Sequence, residues 1–284
     1  MNLLSAMSPF QLFWYLKKCS FSQFIILPFF NHCLFLLQII RENSALKVDG
    51  SLMRLYVAKP LQEGCWPGIL FYSDIYQLGP PITRLADRLA GYGYVVVAPE
   101  IFHRREPLGT IIEPNDLGRL RGNDNALSTS IAAYDDDASA TLQWLDEHPS
   151  VRSECLGTIG FCLGGHIAFR AALSREVKAT VCIYPTGLQD GKLGIGIADS
   201  LERASEIGGS LFTIFGSLDP HVSPEARQKI LANLASIPNL NHQTSLFECN
   251  HTFMRDDGAR WDPQRSDECW NLITQFLDDK LKCL

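Results

Sequence analysis

From about Asn43 onward the chain alternates short apolar runs with stretches of helical spacing, and that alternation leaves few folds open. "PGILFY" and "YVVVAPE" are continuous apolar runs, as in strands covered on both faces. "LMRLYVA" alternates apolar and polar residues and reads as a half-buried strand. Between these runs, "PPITRLADRLAGYG" sets Ile82, Leu85 and Leu89 on one helical face and ends in glycines. "DDDASATLQWLDEHP" reads as a second helix stopped before Pro149, with Asp135, Asp136 and Asp137 serving its positive N-terminal end. "CLGTIGF" is then a strand, "LGGHIAFRAALS" a helix, and "ATVCIYP" and "SLFTIFGSLD" strands. "SPEARQKILANLAS" is a helix with Ser223 as N-cap and Pro224 at its first position. "QTSLFE" is a strand, and a last helix runs from about Ser266 to Leu277. Strands separated by helices imply crossover connections, so the expected class is α/β, a mainly parallel central sheet with helices on both faces.

A net charge of −6 argues against a nucleic-acid partner, which calls for a basic face. With 46% hydrophobic and 20% charged residues among 284, the chain can bury a globular core. The nine cysteines show neither CxxC pairs nor zinc spacing, so most read as reduced, buried small hydrophobes. Cys155 and Cys182, in apolar runs, fit that description. Reduced thiols suit a cytoplasmic protein.

Residues 1–43 differ from the rest and are set apart from a domain of residues 44–284. Two lysines precede a mostly apolar run from Phe24 to Ile40, interrupted by Pro28, Asn31, His32 and Gln38. Three readings stay open: a membrane contact or anchor, an extension that does not fold, and a helix packed on the domain.

In parallel sheets the chemistry collects at the carboxyl ends of strands. After "LGTIGF" comes Cys162, within Gly160-Phe161-Cys162-Leu163-Gly164-Gly165. A nucleophile on a sharp strand-to-helix turn needs small residues two before and two after it. Such a turn aims the next amide at a developing oxyanion, and the helix N-terminus favours negative charge there. After "LFTIFG" comes Asp219, able to orient a histidine. After "SLFE" comes His251, placed to act as a base. Nucleophile, acid and histidine in that chain order match a hydrolase triad. Among the other histidines, His221 is the nearest rival because it follows Asp219 closely, while His242 stands at the wrong end of the last strand.

From about Val48 to Leu277 the chain resembles the dienelactone hydrolase family, a cysteine-dependent branch of the α/β-hydrolases. The resemblance rests on "GFCLGG", "FGSLDPHVS" and "NHTFMRDDG". It implies that Cys162, Asp219 and His251 form the triad. It also implies two arginines for a substrate carboxylate. One stands four residues past the histidine, where this chain has Arg255; the other follows a strand end similar to "PEIFHRREP", which puts Arg104 there. The family carries a glutamate that helps activate the thiol, and here Asp74 of "FYSDIYQLGP" holds that position. This is a departure of one methylene, which bears on thiol activation or on substrate choice. The amides of Leu163 and Ile75 are then the expected oxyanion donors. The stretch from His103 to Tyr134 is long for a crossover and reads as a lid or binding loop.

The expected activity is hydrolysis of a small, anionic ester or lactone through an acyl-enzyme, a chemistry that requires no metal or organic cofactor. The alternative is a hydrolase-fold binding or regulatory protein without turnover.

Overall fold

The computed structural model describes residues 37–282. They open with a hairpin, β1 (Ile39–Val48) and β2 (Ser51–Pro60), paired antiparallel along their full lengths. Its two-residue turn is Asp49-Gly50, both at positive φ (48° and 80°). That is the combination whose twist matches flanking strands. The sequence reading placed no strand at β1, and it counted Ile39–Asn43 with the apolar extension; here these residues pair with β2. Residues 1–36, which carry most of that extension and its expected membrane contact, lie outside the described residues. No helix among the described residues is long and apolar enough to cross a membrane.

The chain continues through β3 (Trp66–Tyr72), α1 (Pro80–Gly91), β4 (Val95–Pro99), α2 (Asp116–Leu127), α3 (Ile131–Glu147), β5 (Val151–Phe161) and α4 (Leu163–Ala171). It ends with β6 (Val177–Ile183), β7 (Ser210–Gly216), α5 (Pro224–Ala235), β8 (His242–Phe247) and α6 (Pro263–Leu277). All eight strands form one sheet in the order β1-β2-β4-β3-β5-β6-β7-β8. Across the sheet from β4 to β8 every pairing is parallel, and β2 alone runs against the other strands.

Alternate strand residues face opposite sides, and both sides are buried. Ile69, Phe71, Val96 and Ala98 pack with α1 and α6, including Leu89 and Trp270. Leu70, Tyr72, Val95 and Val97 pack instead with α3 and α4, including Leu142 and Ile167. A third cluster sets Cys182, Leu211 and Phe215 against Ile230 and Leu234 of α5. The expected class, an α/β sheet with helices on both faces, is the one observed. Cys155 and Cys182 are buried free thiols in β5 and β6.

Two elements differ from the reading of the sequence. α3 starts at Ile131, capped by Ser130, whose side chain accepts from the Ala133 amide. The three aspartates therefore lie a turn inside the helix, and Asp135 and Asp137 bind arginines instead of the helix end. The supposed long loop contains α2, capped by Asn115.

Candidate active site

β5 ends in the middle of the sheet, between β3 and β6, and Cys162 is the residue that turns the chain into α4. Its backbone is at φ 58°, ψ −119°, a conformation that few side-chain-bearing residues adopt. The turn closes because its neighbours lack side chains. A Cβ on Gly160 would collide with the Gly164 carbonyl, and a Cβ on Gly164 with the Ser73 carbonyl in the loop after β3. Three backbone bonds fix the turn: the Cys162 amide donates to Ile183 O (3.0 Å), and the Cys162 carbonyl accepts from Gly165 (3.0 Å) and Thr186 (3.2 Å). The sulfur caps nothing and stays partly exposed, 3.8 Å from Thr186 Oγ1.

Asp219 follows β7 and is buried. Its Oδ1 accepts from the amides of His221 (2.7 Å) and Val222 (3.3 Å), which leaves Oδ2 for His251 Nδ1 at 2.6 Å. His251, on the turn after β8, is buried as well. Burial alone would lower its pKa, but the negative charge of Cys162, the Asp219 bond and a hydrogen bond to Cys162 push it up to about 10. Since Nδ1 is taken by Asp219, Nε2 is the ring nitrogen left to act on the sulfur. For Asp219, burial favours the neutral form, and the bond and charge of His251 together with the amide and charge of His221 outweigh it to hold the carboxyl below its ordinary range. His221, the rival base, lies edge-on against His251 with ring centroids 4.7 Å apart. Burial, and then the charge of His251, keep its pKa down.

Asp74 stands at the end of β3, buried, with Oδ1 accepting the Tyr76 amide (2.9 Å) and Oδ2 accepting Arg255 Nη1 (2.6 Å). Burial raises its pKa, and Arg255, the Tyr76 amide and His251 counter part of that rise. Arg255 lies in the loop after His251, as expected from sequence, and its guanidinium is 5.0 Å from the Tyr76 ring centre. Tyr76 is also within electrostatic reach of Cys162. Cys162, Asp219, His251, Asp74 and Arg255 thus belong to one cluster.

Arg104 does not join them. Its Nη1 lies 2.7–2.8 Å from both oxygens of buried Asp137, and its Nη2 lies 3.2 Å from Asp49 in the β1–β2 turn. The same cluster holds His103, whose Nδ1 meets Ser51 Oγ at 3.0 Å.

Leu163 is the first residue of α4, where helical amides have no partner within the helix. The Ile75 amide has no protein acceptor among the described residues. Neither amide is therefore committed to a protein acceptor among the described residues. α2 reaches this loop directly: a Cβ on Gly122 would lie 2.5 Å from Ile75 O.

Sequence reasoning missed three participants. Tyr184, at the end of β6 with φ 38°, lies edge-on to His251 at 4.9 Å. The strand-end rule would have found it in "ATVCIYP". Thr186 bonds the elbow carbonyl. Buried His166 supports Thr186 from behind, with Nδ1 3.2 Å from Thr186 O and Nε2 2.7 Å from Ser200 Oγ. A carbonyl only accepts, so Nδ1 carries the proton, and burial lowers the pKa of this imidazole to about 3. Among the described residues no group of three His, Cys, Asp or Glu side chains is placed to hold a metal ion.

In sequence and in fold the chain matches a known group of proteins. The dienelactone hydrolase family model matches residues 53–281. A Saccharomyces cerevisiae protein, provisionally named a carboxymethylenebutenolidase, is 34% identical over 244 residues, covering 82% of this chain and 89% of its own. A carboxymethylenebutenolidase from a Pseudomonas species is 27% identical over 209 residues, covering 71% of this chain and 80% of its own. In fold, the crystal structure of a provisionally named dienelactone hydrolase from Klebsiella pneumoniae superposes with a TM-score of 0.71 at 21% identity, covering 84% of this chain and 98% of its own. The fold is that of the α/β-hydrolases, and the chain belongs to the dienelactone hydrolase family.

Proposed function

We propose that this chain hydrolyses small esters or lactones through a Cys162–His251–Asp219 triad. The observation that carries the reading is the relay itself. Asp219 holds Nδ1 at 2.6 Å, and the remaining ring nitrogen is coupled to a thiol on a strained turn. His251 takes the Cys162 proton, and the thiolate adds to the ester or lactone carbonyl. Negative charge that develops on the carbonyl oxygen meets the amides of Leu163 and Ile75. The tetrahedral adduct collapses to a thioester as the carbon–oxygen bond breaks, and His251 returns the proton to the departing alkoxide. In a lactone that alcohol stays attached to the acyl chain. A water molecule, deprotonated by His251, then attacks the thioester; the acid leaves and the thiol is restored. The carboxymethylenebutenolidase names of the relatives support a lactone or ester as substrate. The preference for an anion that the family resemblance implied gains no support from the arginines, since Arg104 and Arg255 are both bound to aspartates.

The test is purified Cys162→Ala assayed on small aryl esters and on a dienelactone. Turnover is expected to vanish, and full retention would refute the role of the sulfur. Cys162→Ser is expected to keep the fold and lose most of the activity. A wild-type protein inert toward every ester, with Cys162 resistant to alkylation, would favour a binding protein on the same fold.

A further inference from the structure

A cavity of about 170 Å³ opens between α1 and α6, and none of the triad residues lines it. Leu85, Met254 and Trp261 give it an apolar wall. A space of that size admits one six-membered ring, since an apolar cavity of about 150 Å³ binds benzene. Trp270 lines the same cavity. It is fully buried, and its indole Nε1 has no hydrogen-bond partner among the described residues. An indole N–H only donates, and a buried donor left unpaired is costly, so what Trp270 calls for is an acceptor.

The cations come from α1, where Arg84 and Arg88 stand one turn apart and both line the cavity. Arg84 is closed by Asp256, which takes Nε at 2.7 Å and Nη2 as well. Arg88 is open by comparison. Among the described residues its hydrogen bonding is confined to Nη1, 3.0 Å from Asp267, whose side chain is 69% exposed. An ion pair as exposed as that is worth little, and Asp267 can turn to solvent when another anion takes its place. The Arg88 guanidinium lies 5.1 Å from the centre of the Trp270 ring, so one cation and one unpaired donor stand side by side.

We propose that this cavity is a binding site for a small aromatic carboxylate, with the ring against Leu85, Met254 and Trp261 and the carboxylate shared by Arg88 and the Trp270 indole N–H. The apolar wall selects the ring, and the cation beside the indole selects the charge. The site is separate from the triad and does not depend on the hydrolytic reading.

The experiment titrates the full ¹⁵N-labelled chain with benzoate, benzamide and acetate at constant ionic strength and follows the assigned indole Nε1–H signal of Trp270. Benzoate is expected to move that signal with a Kd on the order of 1 mM, the scale for a ligand of about nine non-hydrogen atoms. Benzamide keeps the ring without the charge, and acetate keeps the charge without the ring; each is expected to bind at least ~10-fold more weakly. Arg88→Gln, at a partly exposed position, is expected to weaken benzoate ~10-fold. Asp267→Asn removes the competing carboxylate from the surface and is expected to strengthen it ~3-fold. A Trp270 signal unmoved by benzoate up to ~50 mM overturns the proposal. So does benzamide binding as tightly as benzoate, which removes the role of the cation. An affinity that Arg88→Gln leaves unchanged, or that Asp267→Asn weakens, places benzoate elsewhere and overturns it as well.

Discussion

Asp219 Oδ2 lies 2.6 Å from His251 Nδ1 while its other oxygen holds the amides of His221 and Val222. The carboxylate is thus fixed by backbone before it orients the ring, and the ring has one nitrogen left for the thiol.

Asp219→Asn keeps the shape and can present an N–H where the imidazole needs an acceptor. The ring then favours the tautomer that cannot take a proton from sulfur. kcat is expected to fall by roughly 10⁴-fold with KM little changed. Steady-state kinetics on an aryl ester, paired with the rate of Cys162 alkylation at neutral pH, checks this; both should drop together.

The alkaline stability limit should depend on His251. Its pKa rises from 6.5 to about 10 on folding, so the folded protein binds that proton more tightly. The resulting stabilisation is full below about pH 6.5 and is lost as pH rises through about 10. The thermal midpoint is therefore expected to decline from about pH 6.5 to about 10, a decline that should be much shallower in Cys162→Ala, which removes the charge opposite the ring.

On the acid side the relevant group is His166. Its pKa is lowered from 6.5 to about 3 by burial, so the unfolded chain binds the proton more readily than the folded one. Stability should fall as pH drops from 6.5 toward 3. His166→Ala leaves the Thr186 carbonyl without its side-chain partner and Ser200 Oγ with Arg170 alone, and is expected to cost ~2–4 kcal/mol at neutral pH while flattening the acid slope. Urea titrations at pH 7 and 5 measure both effects.

Gly122→Ala tests the contact between α2 and the Ile75 loop. The added methyl would lie 2.5 Å from Ile75 O, so the loop must move. kcat is expected to fall ~10–100-fold through the displaced amide donor. KM and the Cys162 alkylation rate should hold, because thiol activation by His251 does not use that amide. A matching loss of alkylation would instead indicate a disturbance of the whole site.

The elbow was readable from sequence because its constraint is local: Gly160 and Gly164 answer to atoms within a few residues and to one neighbouring loop. Asp219 and His251 were readable because parallel strands deliver their following residues to one edge of the sheet. The engagement of Arg104 by Asp137 and Asp49 was not legible for a tertiary reason. Its partner Asp49 sits in a hairpin turn whose first strand, "IIRENSALKV", is an edge strand with few buried residues, and its apolar start merges with the preceding run. α2 escaped notice because "DLGRLRGNDNAL" contains two glycines and no apolar stripe, and its close approach to Ile75 depends on one of those glycines.

Gly164 has one more effect. With no side chain of its own it lets α4 rest against the Ser73 carbonyl, so the segment bearing Leu163 and the segment bearing Ile75 are held at a set spacing. The span between the two amides is built in before any ligand arrives. In the proposed mechanism a carbonyl that enters must fit that bite as it stands, and widening it would require prising a helix off a strand end.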